Sequence, residues 1–193
     1  MVSANRLTNA KVFRPAGTVG FDPKLFREAV KLMTEKESFL GNHARESQTT
    51  LNLLKAFPSD KLDFRPHPKA RSARELAFVL ANQELFFKQA AEGVFDPSLL
   101  GNQPPQTMAG IVELLERNSK AVDQAVQALT VEQHNKTVNF FGHDMRRMDA
   151  IWANMYDLVH HRGQFSVYVR MSDAAVPSIY GPTADTQSKS ASQ

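Results

Sequence analysis

Apolar residues recur along most of the chain at the three- and four-residue spacing of helices that bury one face. Asp22-Pro23 predicts an N-cap followed by proline in the first turn, and Leu25, Phe26, Val30, Leu32 and Met33 continue toward Gly41-Asn42 at mostly helical spacing. A second run carries Ala44, Thr49, Leu51, Leu53, Leu54 and Phe57 and stops at Pro58. Gly41 either separates two helices or bends a single one. The stretch 58–71, with three prolines, predicts a connector. Ser72-Ala73-Arg74-Glu75 then reads as a capping box, and Leu76, Val79, Leu80, Leu85 and Phe86 carry its helix to Gly93. Beyond a loop over 94–106, Met108, Ile111, Leu114, Leu115, Val122 and Val126 mark a helix over 107–129. Residues 131–144 predict another connector, with 138–141 briefly extended, and a last helix spans 145–171.

Long amphipathic helices without a convincing set of strands predict an all-α fold, an antiparallel, up-and-down four-helix bundle. An extra helix near 22–40 precedes it. Residues 1–21, punctuated by Pro15, Gly17 and Gly20, read as a flexible arm. The bundle domain is expected over 22–181, and the small polar residues 182–193 as a disordered tail.

Composition narrows the classes of function. With 42% hydrophobic and 22% charged residues the chain falls in the range of globular proteins. No apolar run approaches the roughly 20 residues of a membrane-spanning helix, so no membrane partner is expected. The absence of cysteine excludes disulfides, thiolate metal sites and a cysteine nucleophile, and fits a reducing cytoplasm. The net charge of +3 is supplied by Arg6, Lys11 and Arg14 in the arm, leaving 20 cations and 20 anions for the rest. A body so balanced lacks the clustered basic footprint of a nucleic-acid binder.

Candidate chemistry concentrates in His160-His161-Arg162-Gly163-Gln164, near the end of the last helix. A helix carries so polar a block when one face lines a site. Trp152, Tyr156, His160 and Gln164 recur every four residues and share a face, while His161 lies about 100° away. Arg162 is placed to cap the last carbonyls or to pair with an acid on a neighbouring helix. Gly163 inside a helix costs about 1 kcal/mol relative to alanine, which points to a close backbone approach. His43, Glu46 and Glu84 are further polar residues near the helical cavity, with His43 expected at the surface. His67 is expected to hold the connector, and His134 and His143 to be surface residues.

The HHRGQ block, the Val176-Pro177-Ser178-Ile179-Tyr180-Gly181-Pro182 tail behind it, the Phe64-Arg65-Pro66-His67-Pro68 connector and the SARELA helix start at 72–77 resemble the DinB-like (damage-inducible) superfamily. The resemblance spans residues 36–184. It implies a four-helix bundle with a long connection between the second and third helices, and a homodimer formed through helix faces. It also implies a metal site of three histidines, one from the second helix and two spaced H-x-x-x-H in the last. Carried onto this chain, the final ligand falls on His160, its partner on Tyr156 and the second-helix ligand on Val79. Drawn one residue later, the last-helix pair is Asp157 and His161, and Val79 stays empty. Valine has no donor atom, and a phenol with a pKa of about 10 is a poor ligand for a divalent ion.

Two functions follow as expectations. The favoured one is a family member of undetermined activity with a degenerate three-histidine site. In it a pocket of Trp152, Tyr156, His160, Arg162 and Gln164 binds a small polar molecule, and zinc, nickel or iron is not held tightly. The alternative, implied by the resemblance, is a metal-dependent transferase or isomerase. Such enzymes use a low-molecular-weight thiol such as bacillithiol or mycothiol, whose pKa the metal lowers.

Overall fold

The computed structural model describes residues 33–187. The expected arm, the start of the extra helix near 22–40, and residues 188–193 of the tail lie outside them. Among the described residues there are four long helices: α1 (Glu35–Ala56), α2 (Ala73–Glu92), α3 (Met108–Gln127) and α5 (Arg147–Met171). A single helical turn, α4 (Val131–His134), and a hairpin of β1 (Thr137–Phe140) and β2 (His143–Arg146) join α3 to α5. The expected extended stretch is therefore β1, and the small hairpin is an accessory to an all-α bundle.

Local chemistry sets the helix ends. Thr34 and Glu37 form a reciprocal capping box at the start of α1, as Ser72 and Glu75 do at the start of α2. Pro58 ends α1, holding Phe57 extended with ψ of 133°. Gly93, in the left-handed region with φ of 75°, closes α2. Gly41 breaks nothing: α1 runs through it without interruption, so the last residues of the expected N-terminal helix are the first turns of α1.

Pairs of contacts fix the directions of the helices. Glu35 meets Arg146, Phe39 meets Trp152 and Phe57 meets Phe165, so α1 and α5 run parallel. Lys36 reaches the carbonyls of Gln127 and Leu129, and Lys55 reaches Glu116, so α1 and α3 run antiparallel. Gln83 bonds Asn154 while Tyr168 bonds the Arg71 carbonyl, making α2 and α5 antiparallel. Arg74 bonds Gln106 and the Ala81 carbonyl accepts from Asn118, so α2 and α3 run parallel. The order is up, down, down, up rather than the alternating up-and-down order expected from periodicity. Parallel neighbours require a long return, and the segment 93–107 supplies it by climbing back along α2, bonded to Asn82 through the Leu99 carbonyl and Asn102.

The core is continuous through all four helices, with Phe39, Leu53, Leu76, Leu80, Phe87, Ile111, Leu115, Met148, Ile151 and Phe165 almost wholly buried. Ala73, Ala77, Ala81, Ala90 and Ala91 stud α2, and such small side chains let α3 and α5 approach it closely. Behind α5 the chain folds back. The Asp185 carboxylate accepts from Arg170 at 2.7 Å and from the Val176 amide at 2.8 Å, and the Thr183 hydroxyl donates to the Val176 carbonyl. Residues 182–187, expected in a disordered tail, are thus held to α5 by an ion pair and backbone bonds that hydrophobic periodicity does not reveal.

A candidate ligand cleft between α2 and α5

On α2, Glu75, Phe78, Val79, Asn82, Gln83 and Phe86 recur at the spacing of one helix face. Facing them, α5 presents Ala153, Asn154, Asp157 and His161. The two rows enclose a cleft of about 960 Å³. The return segment walls it with Leu100, Asn102, Gln103 and Pro104. The connector before α2 places Arg65, Lys69 and Arg71 at one end, and the hairpin closes the other with Phe140, Phe141, His143 and Met145.

Buried amides pin the floor of the cleft. Gln83 donates to Asn154 Oδ1 at 2.9 Å, and Asn154 donates to the Ala150 carbonyl at 2.9 Å. Asn82 donates to the Leu99 carbonyl at 3.0 Å and accepts from Asn102 at 3.2 Å. The Asn154–Ala150 bond is internal to α5, but the other three join different walls of the cavity, so satisfying these amides also fixes the walls relative to one another.

The consecutive histidines have different surroundings. His161 is largely enclosed and lines the cleft, whereas His160 is exposed. Gln164 bridges them. Its carbonyl lies 2.9 Å from His161 Nδ1 and its amide nitrogen 3.0 Å from His160 Nε2. A carbonyl only accepts and an NH2 only donates, so a neutral His161 carries its proton on Nδ1 and keeps the Nε2 lone pair. That nitrogen lies 3.6 Å from Asp157 Oδ2. Gln164, itself exposed, thus sets the tautomer of an imidazole that lines the cleft.

The expected pocket residues do not form one cleft: Trp152 and Tyr156 share a shallow outer depression with Asp149 and Ala153, while Arg162 is buried elsewhere. Trp152 packs edge-on against Phe39 of α1, Tyr156 is 71% exposed, and His160 and Gln164 lie on the outer side of α5. A bundle this size needs α5 to bury Ile151, Met155, Leu158, Phe165 and Val169, and that turns the Tyr156–His160 face to solvent. Val79 therefore lines the cleft with Asp157 and His161, the second of the two offsets, rather than with Tyr156 and His160. Among the described residues no group of three or more His, Cys, Asp or Glu side chains is placed to hold a metal ion.

Arg162 is 1% exposed and bonds away from the cleft, to Glu46 of α1 at 2.5 Å, to the Glu46 carbonyl and to the Tyr180 hydroxyl. The pairing with an acid on a neighbouring helix is the one formed. Apart from its chain neighbours and the backbone of its own helix, Gly163 has no described atom within 4 Å of where a Cβ would sit, so no close approach accounts for it.

A second polar cluster lies inside the bundle. His43, expected at the surface, is fully buried, with Nε2 2.7 Å from Glu84 and Nδ1 2.8 Å from Asp123. Ser47 adds a bond to Glu84 at 3.3 Å and accepts from Ser119 at 3.1 Å. Burial pushes the His43 pKa down, but the bonds and charges of Asp123 and Glu84 outweigh it and hold the pKa at about 9. Once α1 is read as unbroken, Phe39, His43, Ser47, Thr50 and Leu54 fall on one face, which was the available sign of burial. His134, also expected outside, is buried, and desolvation followed by the charge of Lys36 lowers its pKa. His143 is exposed, and His67 accepts from the Lys69 amide and so holds the connector.

Comparison with known proteins places this geometry in context. The model of the DinB family matches residues 32–190. A DinB-like protein of Bacillus cereus ATCC 10987 superposes with a TM-score of 0.67 at 21% identity, covering 75% of this chain and 97% of that one. The DinB-like protein YjoA of Bacillus subtilis superposes with a TM-score of 0.62 at 20% identity, over 76% and 99% of the two chains. At these identities the likeness establishes the fold. The uncharacterized protein YrdA of Bacillus subtilis strain 168 is 27% identical over 118 residues, and the match spans 59% of this chain and 64% of YrdA.

Proposed function

Because the chain belongs to the DinB family, we propose that it is a small-molecule-binding bundle. Its cleft between α2 and α5 carries an incomplete version of the three-histidine metal site that the resemblance implies. The observation supporting this is the meeting of Val79, Asp157 and His161 on the cleft. Valine supplies no donor, leaving one imidazole and one carboxylate. A tetrahedral zinc site takes at least three protein ligands, so the donor set does not fit a tightly held ion. A metal-activated thiolate mechanism has no support from these side chains. What they do offer is a large, partly apolar cavity with satisfied amides and one imidazole nitrogen free to accept, the usual make-up of a small-ligand site.

Zinc titration and elemental analysis test the reading. The parent should purify without stoichiometric zinc, nickel or iron and bind added zinc weakly. Val79→His with Asp157→His should bind zinc at least about 100-fold more tightly, because three imidazoles then line one cleft. Val79→His with Tyr156→His should gain little, since Tyr156 is on the outer face. Stoichiometric metal in the parent would overturn the proposal and favour the thiol-using transferase or isomerase.

A homodimer through the outer face of α5 is part of the proposal, supported by Tyr156, Val167 and Met171, each about half or more exposed and aligned on that face. Sedimentation should show a dimer that Tyr156→Arg dissociates. A parent that sediments as a monomer would refute it.

A further inference from the structure

We propose that the cleft takes an elongated amphipathic anion, with its apolar body against the aromatic wall at the hairpin end and a carboxylate-like head at Lys69 and Arg71. The inference rests on the reading of the cleft as a ligand site and specifies the ligand's chemistry.

The cleft is polarised along its length. The connector residues Lys69 and Arg71 stand at the N-terminal end of α2, near Glu75, and the hairpin stands beside Phe86. Glu75 and Phe86 are eleven residues apart on one helix, a separation of roughly 16 Å at 1.5 Å per residue. A ligand touching both ends must be long, and the volume of the cleft accommodates one.

Charge decides the head group. Three fixed cations line the cleft, Arg65, Lys69 and Arg71, against two carboxylates, Glu75 and Asp157. Glu75 pairs with Arg65 at 3.0 Å and accepts from the Ser72 amide, and Asp157 stands farther along, toward the middle of the cleft, where α5 pairs Asn154 with Gln83. Lys69 and Arg71 make no ion pair with any described residue. The unneutralised charge at that end is positive, and an anion is its complement.

Backbone geometry decides the body. Phe141 and Gly142 form the hairpin turn with φ of 51° and 82°. Asparagine or glycine is the ordinary occupant of the first of these positions, and a bulky side chain there is strained. The ring so placed is 48% exposed and packs against Phe95 at 4.4 Å, Phe140 at 4.7 Å and Phe86 at 5.5 Å. A turn that gives up an easier residue in order to hold a half-open aromatic wall over a cavity marks a contact surface for an apolar group.

Calorimetric titration with decanoate and decyltrimethylammonium below their micelle concentrations, and with decanol below its solubility limit, tests this. Decanoate should bind at least about tenfold more tightly than decanol, and the cation should not bind. Lys69→Gln with Arg71→Gln should bring decanoate down to the affinity of decanol and leave decanol unchanged. Phe141→Asn, which suits the turn, should weaken both by similar factors, with melting curves confirming a folded protein. Val79→Trp, filling the middle of the cleft, should abolish binding of both. Equal affinities for decanoate and decanol, or binding of the cation, would overturn the anionic head while leaving the cleft a ligand site. Unchanged affinity in Phe141→Asn would overturn the aromatic wall. Retention of binding in Val79→Trp would place the probes elsewhere and overturn the whole inference. No binding by any probe would remove the ligand-site reading as well.

Discussion

His43 joins three helices through two carboxylates, and its protonation governs how firmly they hold. Its ordinary pKa is 6.5 and the folded value is about 9. The raised value means that folding favours the protonated ring, so its contribution is complete below pH 6.5 and is lost as pH rises through 9. The groups facing it are Glu84, Asp123 and Ser47, with the rings of Phe39 and Phe87 stacked or edge-on beside it. The melting temperature should therefore fall between pH 6.5 and pH 9.5, and His43→Phe should flatten that decline. A parent profile as flat as the variant's would contradict it. Residue by residue, the chemistry of the HHRGQ block was partly legible: Arg162 does pair with an acid on a neighbouring helix. The face that lines the cleft was not legible, because a polar run on a helix with apolar residues on several sides does not say which side the bundle buries.

Helix ends were the clearest elements in the sequence. Ser72–Glu75 marks the start of α2 and Pro58 the end of α1, since capping and proline act within a few residues. Thr34–Glu37 and Thr130–Gln133 have the same form but stand out less, the first because Asp22-Pro23 offers an earlier start and the second because it opens a single turn. Strand β2, His-Asp-Met-Arg, has no apolar alternation, and only its pairing with β1 reveals it. Within α5, Gly163 pays the helix-propensity cost of glycine without a neighbour to require it. Gly163→Ala should raise stability by about 1 kcal/mol at dilutions where the protein is a monomer. That corresponds to a rise in melting temperature of about 2–4 °C in a chain of this size. An unchanged or lower melting temperature would show that the position is constrained in a way the fold does not display.

For the molecule as a whole, periodicity supplied the bundle but not the direction of each helix, which depends on long-range pairs such as Glu35–Arg146 and Tyr168–Arg71. The folded-back tail belongs at this scale. Tyr180 donates to Glu46 at 2.9 Å and bonds Arg162, and Asp185 pairs with Arg170, so the segment links α1 and α5 from outside. Ending the chain after Met171 leaves the buried Arg162–Glu46 pair without this cover. It should lower stability by about 1–3 kcal/mol. Ending it after Gln187 keeps every contact of the described tail and should leave the melting curve close to the parent's. Equal curves for both truncations would show that the tail contacts contribute nothing.

The place of α5 after the other three long helices, on all of which the bundle core depends, sets the order of events during synthesis. A ribosome releases α1, α2 and α3 before α5 exists, so the three helices wait with the seam for Ile151, Leu158 and Phe165 open to water. Contacts between α1 and α5 join residues far apart in sequence, Glu35 and Arg146 being 111 positions apart, and such non-local contacts are slow to form. Residues 1–146 expressed alone should be aggregation-prone and poorly cooperative, and co-expression of residues 147–193 should restore a folded, cooperative bundle. The final helix thus acts as a latch that the growing chain receives last, and until it arrives the cleft has only one of its two helical walls.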